Sequence, residues 1–153
     1  MKSLSRVGLV CAVLGATALM AVTLASARTA LQCGVNYVGV VKYTKSCGPA
    51  GATIRVYGGA AHLIRGGKCA TEHNGPFKWY IEVGTSTYNG RPKYNYLRLD
   101  VQSNVPGTSH HGGYSWQYSS GKSGNGGTAT VKLQSGLKRG SFSARGITGT
   151  FHC

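Results

Sequence analysis

Only three acidic residues are available for chemistry in this chain: Glu72, Glu82 and Asp100. General acid–base catalysis by carboxylates needs a pair whose surroundings separate their pKa values. Glu82 and Asp100 alternate with apolar residues in two predicted strands, so both point away from the core and oppose each other if those strands pair. We interpret them as part of a cross-strand ion-pair network with Lys78 and Arg98, the ordinary role of charges on a sheet surface.

Hydroxyl, thiol and imidazole groups give no catalytic pattern either. No nucleophile is identifiable beside the Glu72–His73 pair, and no serine lies in the nucleophile-elbow motif of the hydrolases. His110 and His111, aided by His62 or His152, could bind a transition metal, but adjacent histidines rarely hold one ion on the same face. We therefore predict no catalytic residue, no metal, no cofactor and no enzymatic activity.

A face of aromatic and basic residues is the stronger candidate for a binding site. If the two central strands pair, their Tyr, Lys and Arg side chains share the outward face. Such rings stack on sugars or bases while the cations hold phosphate or carboxylate groups. The predicted ligand-binding residues are Lys78, Tyr80, Tyr94, Tyr96, Arg98, His110 and His111. The alternative is a plain solvated sheet surface, because Tyr has a high strand propensity.

The first 27 residues have the pattern of a signal peptide. Lys2 and Arg6 precede an apolar run at residues 7–24, and residues 25–27 read Ala-Ser-Ala, a small-x-small cleavage site. One alternative is an N-terminal membrane anchor, since the run is just long enough to span. Another is a lipoprotein lipidated at Cys11, but Cys11 lacks the small residue expected before it. We predict a secreted, extracellular protein whose mature chain has no transmembrane segment.

The mature chain keeps four cysteines: Cys33, Cys47, Cys69 and Cys153. An even number in an exported chain predicts two disulfides, because the oxidising exterior lets them persist. Three pairings are open. We favour Cys33–Cys47, which closes a short local loop, and Cys69–Cys153, which ties the first half of the domain to its last strand. No two cysteines have the close spacing of zinc ligands.

The charge is strongly positive. The formal net charge of +14 falls to +12 when Lys2 and Arg6 leave with the signal peptide. A folded domain with this imbalance attracts polyanions. Outside a cell these are teichoic-type or uronic polymers, anionic lipid head groups and nucleic acid. The alternative is that the charge only keeps a Gly-rich protein soluble.

Period-two alternation of apolar and polar residues dominates the mature chain, and no helical period of useful length occurs. Short alternating runs bounded by Gly, Asn and Pro predict an all-β, antiparallel, immunoglobulin-like β-sandwich stabilised by two disulfides. We expect residues 28–67 to form a basic β segment packed on a sandwich domain at residues 68–153. The predicted core residues are Phe77, Trp79, Leu97, Leu99, Trp116, Val131, Leu133, Phe142 and Phe151.

Three stretches are harder to interpret. Residues 35–43 have apolar side chains on both faces, and we interpret them as one mixed strand. Residues 104–113 are polar and contain Pro-Gly, which predicts a loop. Residues 119–127 are rich in Gly, Ser and Asn, which predicts a mobile connection.

Several short motifs in the second half have a familiar order. Cys69 precedes an amphipathic strand, residues 128–131 read Thr-Ala-Thr-Val, and the chain ends in Gly-Thr-Phe-His-Cys. With Gly-Ser-Phe-Ser-Ala at residues 140–144, this order resembles small secreted proteins of actinobacteria, in particular the mycobacterial conserved lipoprotein antigen family. The resemblance covers residues 68–153. It implies an immunoglobulin-like sandwich with a Cys69–Cys153 bridge, and it carries over no catalytic residue. The chain departs from that family in lacking a lipobox.

We expect a secreted, basic, non-catalytic protein that binds an anionic polymer of the cell envelope or the extracellular space, such as a glycan, a teichoic-type polymer or nucleic acid. One alternative is a secreted cationic antimicrobial or effector protein. That function needs a membrane-active element, and the sequence shows none beyond the sheet itself. A second alternative is a structural, antigen-like surface protein without enzymatic activity.

Overall fold

A computed structural model describes residues 30–72, 75–107 and 109–153. The predicted signal peptide at residues 1–27 lies outside them. The strands are β1 Gly34–Val38, β2 Val41–Lys45, β3 Gly51–Val56, β4 Ala61–Arg65, β5 Gly67–Thr71, β6 Trp79–Thr87, β7 Tyr96–Val101, β8 Ser109–Gln117, β9 Ser123–Leu133, β10 Arg139–Ala144 and β11 Ile147–His152. A short 3₁₀ turn, Ser135–Leu137, joins β9 to β10.

All eleven strands belong to one hydrogen-bonded sheet. From β5 to β11, each strand pairs antiparallel with the next strand along the chain. β11 then pairs with β3, and β3 pairs with β4. The pairings that start at β5 therefore end at β4, and only Gly66 separates β4 from β5. The sheet thus closes on itself. The closed sheet has eight positions, with β4 and β5 sharing one of them.

The corner between β4 and β5 depends on two glycines. Gly66 and Gly84 have φ angles of +81° and +86°, which side chains with a Cβ rarely adopt. Gly84 lies in β6 where its partner strand changes from β5 to β2. Its amide donates to the Gly66 carbonyl at 2.9 Å, and its own carbonyl accepts from the Ser46 amide at 2.8 Å. This junction joins the closed sheet to the remaining two strands.

The inside of the closed sheet is filled by side chains. Alternate residues of each strand point inward, as a half-buried strand requires. The largest fully buried side chains are Trp116, Ile54, Ile81, Leu97, Leu99, Leu133, Ile147, Val83, Val101 and Val131. The predicted core is confirmed except at Phe77, which is only half-buried. The prediction was wrong there because β6 begins at Trp79, so the alternation does not extend back to Phe77.

The β1–β2 hairpin lies outside the closed sheet. Residues 35–43 were expected to form one strand, and this is wrong. Gly39, with a φ of +60°, occupies the first central position of a two-residue turn between Val38 and Val41, the position that a type II′ turn reserves for glycine. The hairpin is attached through three residues of β2, which pair with β6. The Cys33–Cys47 disulfide closes its base.

Both favoured disulfides are confirmed, and so is an antiparallel β fold. Cys69 on β5 bonds to Cys153, the residue after β11, across 84 positions of sequence. A sandwich of two separate sheets is not confirmed, since all strands are linked in one sheet. The domain boundary predicted between residues 67 and 68 falls inside β5.

Two stretches expected to lack regular structure contribute to strands. β8 begins at Ser109, inside the predicted loop at 104–113, and β9 begins at Ser123, inside the predicted mobile connection. Neither strand start was predicted, because Gly and Ser provide no alternation of apolar and polar side chains. Among the described residues, no helix is long and apolar enough to cross a membrane.

Candidate functional site

All three acidic side chains of the chain converge on Arg98, on the outer face of the sheet. Arg98 donates to both carboxylate oxygens of Asp100 at 2.6 to 3.0 Å. One terminal nitrogen also lies 3.5 Å from a carboxylate oxygen of Glu72, and the other lies 3.6 Å from a carboxylate oxygen of Glu82. We call these four residues the Arg98 cluster. It spans β6, β7 and the residue that follows β5.

Strand register explains most of the Arg98 cluster. Glu82 lies opposite Arg98 across the β6–β7 ladder, and Asp100 follows two residues later on the same face. This part of the predicted ion-pair network is confirmed. Lys78 was also expected in it, but its ammonium donates to the Gly75 carbonyl at 3.3 Å. Glu72 joins instead, and the sequence pattern missed it because Glu72 lies beyond the end of a strand.

The electrostatics of the Arg98 cluster hold the arginine in its charged form. Its hydrogen bonds to Asp100 raise the pKa of Arg98, and burial lowers it. The negative charges of Asp100 and Glu82 raise the pKa further. The guanidinium also lies over the Tyr80 ring, 4.8 Å from the centroid, and the Lys68 ammonium lies 5.5 Å from the same centroid. The contact with Tyr80 raises the pKa of Lys68. Tyr80 therefore already contacts two cations of its own chain.

The other two tyrosines of the predicted binding face, Tyr94 and Tyr96, lie in different parts of the structure. Tyr96 is only 6% exposed, and its hydroxyl donates to Glu82 at 3.3 Å. Burial, followed by the charge of Glu82, raises the pKa of Tyr96. Tyr94 lies in the β6–β7 loop with its ring edge against Tyr43, at a centroid distance of 5.5 Å. Thus Tyr80, Tyr96 and Arg98 lie together, whereas Tyr94 lies beside the β1–β2 hairpin.

The two histidines occupy successive positions of β8. His110 lies opposite Val131 in the β8–β9 register, and His111 lies opposite Thr130. The side chain of His111 is exposed, like that of Thr130. His111 therefore lies on the outer face of the sheet, on β8, which β7 separates from β6. In the described part of the chain, no three His, Cys, Asp or Glu side chains gather as metal ligands.

The outer face of β9, β10, β11 and β3 carries hydroxyl and basic side chains in cross-strand rows. One row runs Lys132, Ser141, Thr150, Thr53, and the next runs Thr130, Ser143, Thr148, Arg55. A third runs Arg139, His152, Gly51, Arg65, where the last residue belongs to β4. All of these side chains are exposed except Thr53, which is half-buried, and the small Gly51. We call this surface the hydroxyl–basic face.

The Arg98 cluster and the hydroxyl–basic face lie on opposite sides of the closed sheet. With eight positions around the sheet, β6 and β10 are four positions apart and therefore lie across from each other. Because every acidic side chain is in the Arg98 cluster, the hydroxyl–basic face has none. Within the described residues, each ion pair found involves Arg98. The cations of the hydroxyl–basic face thus have no acidic side chain on that face to offset their charge.

Comparison with known proteins gives no match: no family model, no curated protein and no solved structure corresponds to the chain. The resemblance to the mycobacterial lipoprotein antigen family therefore stays a prediction. Candidate sites rest on the geometry of this chain alone.

Proposed function

We propose that this protein is a secreted, non-catalytic binding protein for an anionic polymer, and that the polymer lies on the hydroxyl–basic face. The cations of this face hold phosphate, sulfate or carboxylate groups. Its Ser and Thr hydroxyls donate hydrogen bonds to the same groups or to the polymer backbone. The two disulfides suit an extracellular setting, since such bonds persist where the surroundings are oxidising.

The observation that carries the proposal is the separation of charge. Arg98 draws the three carboxylates to one side of the sheet, so their fields do not cancel the cations of the opposite side. Lys132, Arg139 and Arg55 lie on β9, β10 and β3, within four consecutive strands of the sheet, where adjacent strands are spaced about 4.8 Å apart. A surface of one sign raises the local concentration of an oppositely charged ligand and speeds its association.

The ligand-binding residues expected from sequence are only in part compatible with this placement. Arg98 is held by Asp100, and Tyr96 is buried, so neither presents a free group to a polymer. His111 is compatible, because it extends the row of Thr130 on the outer face. Lys78 remains exposed on the opposite side and serves as a control position.

The test compares dextran sulfate with neutral dextran, which has the same backbone without charge. We expect binding only to dextran sulfate, with an affinity that falls steeply as salt rises. A triple variant, Lys132→Gln, Arg139→Gln and Arg55→Gln, should reduce the salt slope by about two to three, because binding then releases fewer counterions from the polymer. Affinity that is independent of salt, or equal for both dextrans, contradicts the proposal.

The matched control removes the same number of charges elsewhere. Lys42→Gln, Lys78→Gln and Lys93→Gln lower the net charge equally but leave the hydroxyl–basic face intact. Its salt slope should stay near that of the unsubstituted protein. An equal loss in both triple variants assigns binding to net charge alone and overturns the placement on this face.

A further inference from the structure

The β1–β2 hairpin ends in apolar side chains that contact solvent. Val38 and Val40 are 53% and 89% exposed, and Val40 is the most exposed large apolar residue of the described chain. The second central residue of a type II′ turn is ordinarily polar, because hairpin turns lie in water. A valine there keeps the turn geometry but presents apolar surface at the outermost point of the hairpin.

The hairpin projects past the main sheet and is stiffened at its base. β2 pairs with β6 only from Tyr43 to Lys45, so the turn at residues 38–41 extends beyond the last residue that pairs with β6. Cys33 and Cys47 flank the first cross-strand pair, Gly34 with Lys45, and their disulfide ties the two arms together. The first residue of the turn, Val38, therefore lies five residues, or roughly 17 Å, from the crosslinked Cys33.

Aromatic and basic side chains surround the apolar tip. Tyr37 on β1 and Tyr88 in the β6–β7 loop are both mostly exposed. The Lys42 ammonium lies 5.0 Å from the centroid of the Tyr88 ring, and the Tyr88 amide donates to the Lys42 carbonyl. Lys93 in the same loop is exposed. The acidic side chains all lie in the Arg98 cluster, so none adjoins this tip.

We infer that the β1–β2 hairpin binds the surface of an anionic phospholipid bilayer, with Val38 and Val40 inserted at shallow depth. Tyr37 and Tyr88 then lie at the level of the head groups, where amphipathic rings are enriched. Lys42 and Lys93 contact anionic head groups. This surface is separate from the hydroxyl–basic face and provides the membrane-active element that the sequence pattern did not reveal.

A second copy of the chain is the main rival occupant, because β1 pairs only with β2 among the described strands. Two features favour the bilayer. Pairing along the edge of β1 buries residues 34–38 but leaves Val40, in the turn, exposed to water. Association of two copies also brings together two chains that each carry a formal charge of +12 without Lys2 and Arg6, and these repel each other.

The test measures binding of the mature chain, residues 28–153, which contains all the described strands, to vesicles of phosphatidylcholine, with and without about a third of phosphatidylglycerol. We expect binding to the anionic vesicles only. Val40→Ser should weaken it about tenfold, the effect of losing the burial of one valine side chain. Leu63→Ser, which removes another exposed apolar side chain, on β4, should leave it unchanged. Equal affinities for Val40→Ser and the unsubstituted protein overturn the inference.

A second variant reports insertion directly. The fluorescence of the tryptophan introduced by Val40→Trp should shift to the blue on anionic vesicles, and lipids brominated near the head group should quench it. The tryptophan introduced by Leu63→Trp should show neither effect. The fold is not at risk, because position 40 is exposed. A dimer of the free protein that dissociates on Val40→Ser, seen by sedimentation, assigns the tip to a second copy and overturns the inference. Val40→Ser should bind dextran sulfate as tightly as the unsubstituted protein does. Failure of the bilayer inference is therefore distinguishable from failure of the polymer proposal.

Discussion

Arg98 and Asp100 lie two residues apart on the outer face of β7, and the guanidinium donates to both oxygens of the carboxylate. This pair alone is neutral. Glu82 on β6 and Glu72 after β5 add two negative charges to it, inside a protein with a large positive excess. One arginine therefore connects three successive elements of the sheet and determines where the protein is least basic.

Substitution of this arginine should destabilise the fold. Arg98→Gln leaves three carboxylates close together without their cation, so we expect the free energy of unfolding to fall by about 2 kcal/mol. The side chain is about a third exposed, which keeps the loss moderate. Urea denaturation at neutral pH measures it. Arg55→Gln is the control, since Arg55 is exposed and its guanidinium donates only to the Gly59 carbonyl in the contacts described; it should change stability by less than about 0.5 kcal/mol. Equal effects for the two variants contradict a structural role for the Arg98 cluster.

The two disulfides should differ in their contribution to stability. In the chain-entropy model, a crosslink across 84 residues stabilises by about 4.6 kcal/mol and one across 14 residues by about 3 kcal/mol. The shorter crosslink, Cys33–Cys47, moreover closes only the hairpin outside the closed sheet. We expect the Cys69→Ala, Cys153→Ala double variant to lose at least about 4 kcal/mol, and the Cys33→Ala, Cys47→Ala variant to lose less. Thermal unfolding of both variants measures this order, and the reverse order contradicts it.

Much of this fold follows from side-chain alternation, because one buried and one solvated face impose period two on each strand. The runs around Ile81, Leu99 and Val131 predict their strands and their inward residues correctly. Local pattern does not reveal how many sheets the strands form. That depends on the pairing of β11 with β3, two strands that are far apart in sequence.

Prediction of the candidate site was less complete, for a physical reason. Alternation shows that Arg98 points outward, but not how many partners it finds there. Glu72 reaches it only because β5 pairs with β6, a register set by contacts that sequence does not display. The hydroxyl–basic face was overlooked because Ser and Thr between cations resemble ordinary solvated strand residues.

The corner at Gly84 should not tolerate a side chain. Gly84→Ala places a Cβ against the Asn95 carbonyl oxygen and 2.7 Å from Ile64, at a φ of +86°. Strain and overlap together should cost at least about 3 kcal/mol. Gly127→Ala is the matched control, since nothing lies within 4 Å of its added Cβ and its φ is not in the left-handed region. Chemical denaturation should find Gly127→Ala within about 0.5 kcal/mol of the unsubstituted protein. A tolerated Gly84→Ala contradicts the described junction of β4, β5 and β6.

Tyr96 should make stability depend on pH in the alkaline range. Burial and the charge of Glu82 raise the pKa of Tyr96 above its ordinary value of 10. Above about pH 10, the unfolded chain releases this proton while the folded chain keeps it, so the folded state binds more protons and stability falls as pH rises. Below that pH the contribution is fully present.

Tyr96→Phe isolates this effect, because the remaining tyrosines and lysines titrate in both proteins. At pH 8, the hydrogen bond to Glu82 should make the unsubstituted protein more stable by about 1 kcal/mol. This difference should shrink or reverse between about pH 10 and about pH 11, as measured by urea denaturation at each pH. A difference that is constant across this range shows that Tyr96 titrates alike in the folded and unfolded chains. It would mean that the hydroxyl is not held protonated beside Glu82.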